Sequence, residues 1–237
     1  MKPIYKPSGR AGEYGDLAIN IYTGCNHGCF YCFAPRVLHK SAEAFANVEP
    51  RPGIAEAVKR QLDKEQITDK LIHLCFTCDP YPAPPIDTTP TREIIKTIKG
   101  TGNHVQILTK GGLRAERDFD LLDGDDWFGV TITGEFWDKR SELNAANWVE
   151  RLESIQKAHL AGVNTWVSCE PVLDANNIYR LISGNHPIDK FKIGKLNYHP
   201  SDINWPEFGR TCERLCQQYG RNYYIKDDLR KEMEGNL

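Results

Sequence analysis

The sequence predicts an α/β domain built as an open, partial parallel barrel of (β/α)6 type with a short C-terminal extension. Two observations carry that prediction. Short apolar runs rich in β-branched residues alternate six times with helical patterns, and strands that alternate with helices form a parallel sheet. The chain is also 237 residues long, a length at which α/β barrels commonly form one unit, and it holds no internal repeat, low-complexity tract or linker. Residues 1–237 are therefore expected to form one domain, with 17–195 as the barrel and 196–237 as C-terminal helices plus a possible extra strand.

Taken in order, strands are expected at 17–23, 70–77, 104–109, 127–133, 164–169 and 189–194. Helical patterns fall between them at 53–65, 91–99, 117–122, 143–161 and 176–182. Thr89-Pro90-Thr91 reads as a helix start, because proline fits the first turn, and Gly100 and Gly162 read as stops. A further helix at 205–219 leads to 222–226, a possible seventh strand, and a last helix at 227–234.

Composition narrows the function by exclusion. Hydrophobic and charged fractions of 40% and 26% are those of an ordinary globular protein. No run approaches the roughly 18 apolar residues of a membrane span, and the stretch after Met1 has no apolar signal core. A cytoplasmic monomer without membrane contact is expected. A formal charge of −2 disfavours a large polynucleotide substrate, since proteins that grip duplexes usually carry a basic excess. Eight cysteines in a chain read as cytoplasmic argue for metal or redox chemistry over disulfides.

Three of those cysteines stand together in Gly24-Cys25-Asn-His-Gly-Cys29-Phe-Tyr-Cys32, at the end of the first predicted strand. Zinc sites usually take four ligands in paired groups, and no second pair with a fitting partner stands out. Iron–sulfur clusters take cysteine thiolates in similarly tight runs, and three ligands for four irons leave one position open, as a catalytic site requires. In parallel barrels the chemistry gathers at the C-terminal ends of the strands, so partners are sought there.

After the second strand, Cys78-Asp79-Pro80-Tyr81-Pro82 is stiffened by proline, which would hold Asp79 at the mouth, where its carboxylate could accept from an ammonium group; an Asp-Pro turn capping backbone donors is the competing reading. After the third, Lys110 precedes Gly111-Gly112 and can reach a carboxylate or phosphate; a solvated lysine competes. On the fourth, Thr131 and Thr133 share a face by the period of two, although threonine also has ordinary strand propensity. The fifth ends in Cys169-Glu170-Pro171. Lys195, Asn197, His199 and Lys226 would form a far wall, with Tyr198, Tyr223 and Tyr224 as stacking faces.

Cys25-x3-Cys29-x-Tyr31-Cys32, with an aromatic residue before the last cysteine, resembles the signature of radical SAM enzymes. Thr77-x-Asp79-Pro80-Tyr81, Leu108-Thr109-Lys110, Arg117-Asp118-x-Asp120-Leu121-Leu122 and Val130-Thr131-Ile132-Thr133 follow in order. Together these motifs, spanning roughly residues 18–135, resemble the spore photoproduct lyase-like branch, often labelled DNA repair photolyases.

The resemblance implies a partial barrel and a [4Fe-4S] cluster held by Cys25, Cys29 and Cys32, whose open iron chelates S-adenosylmethionine. It further implies that Asp79, Lys110 and Thr131 hold the methionine part and that Glu170 sits at the mouth near the adenosyl group; Tyr31, and Thr133 on the face of Thr131, are expected to line the cofactor site beside them. Reductive cleavage to a 5′-deoxyadenosyl radical, an electron donor such as flavodoxin or ferredoxin, and a nucleic-acid base or lesion as a substrate are the matching expectations. A peptide or small molecule under the same radical is the alternative, and a non-enzymatic iron–sulfur or zinc protein is the third. One departure stands out: the branch's hydrogen-donating cysteine aligns best with Phe76, so Cys78 and Cys169 are the substitute candidates, though buried cysteine usually acts as a small hydrophobe.

Overall fold

The computed structural model describes residues 2–134 and 141–235; residue 135, where the family resemblance ends, and the two terminal positions Met1 and Leu237 named in the domain bounds lie outside the described residues. Eight strands form one sheet in sequential order: β1 (Ile4–Tyr5), β2 (Leu17–Ile19), β3 (Leu71–Leu74), β4 (His104–Thr109), β5 (Trp127–Thr131), β6 (Asn164–Cys169), β7 (Lys190–Ile193) and β8 (Tyr223–Ile225). All pairings from β2 to β8 are parallel, and only β1 runs antiparallel, against β2. The sheet does not close on itself, so the predicted open partial barrel is present.

The possible strand at 222–226 is β8, a full parallel partner of β7, so this part of the C-terminal segment completes the sheet. The strand β1 went unexpected because two residues between Pro3 and Pro7 give no periodic signal. Gln61 replaces a strand partner there: its side chain accepts from Ile4 N and donates to Ile4 O, both at 2.9 Å, which satisfies an otherwise bare edge.

The helices cover the outer face: α1 (Ala34–Val37), α2 (Ala42–Ala46), α3 (Ile54–Glu65), α4 (Thr89–Lys99), α5 (Trp148–Leu160), α6 (Ala175–Ser183), α7 (Trp205–Gln218) and α8 (Asp227–Glu234). Their starts follow local capping. Asn147 and Glu150 form a reciprocal capping box, so α5 begins at Trp148 rather than at 143, and Asp174 and Asn204 cap α6 and α7. The segment expected as a helix at 117–122 is a longer 3-10 helix, Gly112–Leu121. Apolar faces such as Ile94, Ile95 and Ile98 of α4, or Ile178, Leu181 and Ile182 of α6, close over the sheet in one core.

Alternation along β6 separates the two faces of the sheet. Val167 and Cys169 join the core under the helices, while Trp166 and Ser168 point into the barrel. Trp166 lies flat against β5, where a Cβ on Gly129 would sit 2.3 Å from its indole nitrogen, so only glycine fits. The gap between the sheet's ends is bridged by the 3-10 segment Gly9–Glu13, which ties to the β8 side through Arg10–Asp228 at 2.9 Å and Asp227 N donating to Glu13 at 3.0 Å. Tyr14 follows, and its ring stands inside the barrel beside His73, Phe76 and Trp166.

Candidate active site

The cysteine loop leaves β2 and is fixed from both sides. Cys25 N donates to Phe45 O of α2 at 2.9 Å, and a Cβ on Gly24 would lie 2.1 Å from that same oxygen, so position 24 admits no side chain. On the other side, Phe30 N donates to Ser141 O, Asn144 N to His27 O, and Cys29 bridges Glu142. Cys32 N donates to Cys29 O at 3.1 Å, which curls the last two cysteines into one turn.

All three thiols are partly buried. Burial pushes each of them upward, that of Cys29 to about 11, so on their own they hold their protons. A bound cation reverses that preference by stabilising thiolates. Three cysteines on one short loop, with the Lys110 ammonium beside Cys29, form a thiolate donor set of the kind that iron–sulfur clusters take.

Lys110 follows β4 and brings its ammonium 5.6 Å from the Tyr31 ring. Burial would depress its pKa, but the neighbouring Cys29 and Glu142 outweigh that and raise it, so it stays a cation. Its ammonium makes no hydrogen bond or ion pair among the described residues. The phenol of Tyr31 donates to Glu142, which also pairs with Arg151. Arg151, 3% exposed, donates in addition to Ala146 O and to Thr131 O, both at 2.9 Å, and so anchors the end of β5 to the cysteine loop.

Asp79 is buried, and its two oxygens are fully engaged. One accepts from Tyr81 N at 2.8 Å and from the Thr109 hydroxyl at 2.6 Å; the other accepts from Lys110 N at 2.9 Å and faces His27 Nδ1 at 3.4 Å. Arg114 donates to His27 Nε2 at 3.0 Å, which leaves Nδ1 as the N–H turned to Asp79. Burial alone would raise the Asp79 carboxyl, yet His27 and the Thr109 and Lys110 donors hold it well below the usual carboxylate range. These contacts tie the ends of β3 and β4 to the cysteine loop.

The remaining predicted residues separate into two groups. Thr131 and Thr133 are buried at and beyond the end of β5, where Thr133 O receives Leu173 N at 2.8 Å. Glu170 stands at the end of β6 and accepts from Tyr14 at 2.8 Å and from Lys226 at 2.5 Å, an inward-facing network the sequence did not disclose. Tyr14 lies between two ammonium groups, Lys192 at 4.6 Å and Lys226 at 4.4 Å from its ring.

The two candidate hydrogen donors are not brought to this group. Cys169 is fully buried on the helix side of β6, electrostatically coupled to Cys216. Cys78 turns its thiol toward Tyr22, whose amide donates to it at 3.4 Å, and toward Cys75. Cys169 faces the helix-side core by the alternation of β6, and Cys78 lies in the bend after β3, where Phe76 stands inside the barrel, stacked on His73 at 4.2 Å.

The far wall is also only partly as expected. Lys226 is buried against Glu170, but Lys195 pairs with Glu232 of α8, and Tyr223 bonds Gln217 and Glu213 of α7 outside the barrel. Tyr198 is 65% exposed, and His199 meets Phe30 edge-on at 5.2 Å. Glu142, Arg151, His27, Arg114 and Tyr14 were missed as functional residues; only His27, inside the cysteine motif, carried any local signal.

Comparison with known proteins agrees with this geometry. A variant of spore photoproduct lyase with a cysteine replaced by serine superposes with a TM-score of 0.72 at 14% identity, covering 93% of this chain and 78% of that one. A second variant, bound to AdoMet and a dinucleoside spore photoproduct, gives 0.68 at 14%, over 90% and 76%. Streptococcus suis SuiB bound to precursor peptide SuiA gives 0.66 at 12%, over 92% of this chain and 51% of SuiB. No curated protein matches by sequence. The family model for the radical SAM superfamily matches residues 19–173, about two thirds of the chain, including the cysteine loop and the ends of β2 to β6, so the chain belongs to the radical SAM superfamily of enzymes.

Proposed function

We propose that Cys25, Cys29 and Cys32 hold a [4Fe-4S] cluster and that the mouth of the barrel binds S-adenosylmethionine beside it. The observation that carries this reading is the three-thiol loop with the Lys110 ammonium next to Cys29, unpaired among the described residues. When bound, the cluster supplies the electron that cleaves S-adenosylmethionine to methionine and a 5′-deoxyadenosyl radical, which takes a hydrogen atom from the substrate.

The chain's own residues position and enclose. Lys110 offers its charge to the cofactor's carboxylate. Tyr31, fixed by Glu142 and Arg151, presents a rigid ring beside the loop. Thr131 and Thr133 close the β5 side, and Glu170, with Lys226 and Tyr14, lines the opposite side with polar groups that can orient a substrate and exclude water.

The substrate class we favour is a nucleic-acid base or lesion, because the neighbour that covers 90% of this chain holds a dinucleoside photoproduct. A second reading, a peptide or small molecule, is favoured by the formal charge of −2 and by the peptide-bound neighbour. Phe76 in place of a thiol on the inner face argues for a different route of hydrogen return than the lyase uses, or for none.

Reconstituted protein reduced with dithionite should release 5′-deoxyadenosine from S-adenosylmethionine. Cys29→Ala should lose the visible cluster absorption and all turnover, whereas Cys212→Ala, altered in the core, should keep both. A full cluster in Cys29→Ala would overturn the assignment. Binding to single-stranded oligonucleotides that weakens steeply with salt would select the first substrate class over the second.

A further inference from the structure

The barrel has a second opening, at the N-terminal ends of its strands and away from the cysteine loop, where Leu71, Trp127 and Lys190 begin β3, β5 and β7. A cavity of about 350 Å³ lies there, within the range of about 300–1,000 Å³ of small-molecule sites. In parallel barrels this end serves stability, and an apolar packed floor would be enough for that. The floor here is cationic and aromatic instead. Strand alternation turns Gln106, Trp127, Trp166, Lys190 and Lys192 inward, with Gln106 beside Trp127 across β4 and β5 and Trp166 beside Lys190 across β6 and β7.

Lys192 is 6% exposed, and no carboxylate lies within ion-pair distance of its ammonium among the described residues. It donates to Glu13 O at 2.8 Å and to Tyr14 O at 3.3 Å, which leaves one of its three N–H groups without an acceptor. Lys190, half-buried, forms no ion pair among the described residues either. The two acids of the same wall do not answer these charges: Glu13 turns its carboxylate to the β8 side, where it accepts from Asp227 N at 3.0 Å and from Tyr224 at 3.1 Å, and Asp16 is exposed. A buried cation without a counter-ion is costly; burial, with Lys190 and Lys226 nearby, pushes Lys192 down to about 7. Gln106 spends its two N–H groups on Tyr14 O at 2.9 Å and His73 Nδ1 at 2.8 Å, so its carbonyl oxygen is left as an acceptor without a donor among the described residues.

We propose that this floor cavity binds a small flat carboxylate, an aromatic or heteroaromatic acid, with its ring against Trp127 and Trp166 and its carboxylate on Lys190 and Lys192. The lysines select an anion, and the indoles select a flat apolar body. The cavity ends against Tyr14 and Trp166, which limits the ligand to a small molecule. No residue of the cysteine loop lines it, so the site stands apart from the cluster reading.

The test uses the full chain with benzoate and indole-2-carboxylate as probes, benzamide as the neutral counterpart and inorganic phosphate as the bare oxyanion. By calorimetry both acids should bind the wild type, and benzamide and phosphate should each bind at least about tenfold more weakly. Lys190→Met and Lys192→Met should each weaken the acids by about tenfold or more and leave benzamide unchanged, whereas Trp127→Leu should weaken acids and benzamide alike. Circular dichroism checks that each variant folds, and the half-buried Lys190 carries the test if Lys192→Met does not. Failure of both acids to bind the wild type, or unchanged affinity in the folded lysine variants, overturns the proposal. Loss of acid binding in Lys110→Met, altered at the opposite end of the barrel, overturns it in favour of binding at the mouth. Phosphate binding as tightly as the acids overturns it in favour of a simple anion site.

Discussion

Replacing Asp79 by asparagine keeps the shape of the side chain and changes only what it accepts. In the native site three hydrogen bonds of 2.6 to 2.9 Å and the His27 N–H at 3.4 Å converge on its carboxylate. An asparagine that keeps its oxygen toward Tyr81 N and Thr109 must turn its NH2 against Lys110 N–H and His27 Nδ1–H. Two buried donors then lose their acceptor, at about 1–3 kcal/mol each, so the loss of stability is about 4 kcal/mol. For a chain of this size 1 kcal/mol moves the midpoint by roughly 2–4 °C, so the melting temperature should fall by about 8–16 °C. Thermal unfolding followed by circular dichroism, with and without the reconstituted cluster, measures it. The acid limb adds an independent check. Because the folded carboxyl is held below its unfolded value of about 3.9, its contribution is complete above that pH and is lost as pH falls further. The gap between wild type and variant should therefore be constant at neutral pH and shrink below about pH 4. A variant that melts with the wild type but fails to bind S-adenosylmethionine would refute the reasoning and restore Asp79 as a direct ligand.

Lys110→Met should leave the cluster absorption intact and weaken S-adenosylmethionine binding by about tenfold or more, the worth of one desolvated charge pair; equal affinity by calorimetry would remove Lys110 from the site. Gly24→Ala forces a methyl to within 2.1 Å of Phe45 O, so the loop must shift. Urea unfolding should show a loss of about 1–3 kcal/mol, as for other overpacked sites, together with a lower iron content after reconstitution, and full iron loading would contradict the tight fit. Lys192 is depressed to about 7 by burial and by Lys190 and Lys226. Between that value and about 10.4 the unfolded chain binds the extra proton, so stability should climb with pH by up to roughly 1.4 kcal/mol per unit. Lys192→Met should remove that slope between pH 7.5 and 9.5 in chemical denaturation, and an unaltered slope would assign it elsewhere.

How much of this was legible in the chain follows from the range over which each signal acts. The apolar run of β4 and the Thr89-Pro90 start of α4 are written within a few residues, and their elements formed where expected, whereas the Asn147–Glu150 capping box starts α5 later than position 143. The spacing of Cys25, Cys29 and Cys32 is likewise local, so three sulfurs on one loop could be read directly. Strand ends bearing Asp79, Lys110 and Glu170 were locatable because a parallel sheet puts every such end on one side. Their partners were not. Tyr31 finds Glu142 across 111 positions, and Tyr14 finds Glu170 across 156.

Faces were decided in three dimensions too. Cys169 sits at the right strand end and looks the wrong way, because one step along a strand reverses a side chain and only packing against α7 fixes which step is inward. The sequence alone determined the order of elements and the three thiols. The tertiary structure decided which donors hold Asp79, that the barrel gap is bridged by residues 9–13, and that Phe76 stands inside the barrel. The physical reason is common to all three: hydrogen-bond capacity and burial belong to neighbours in space, and the chain names those neighbours only once register and closure have brought them together.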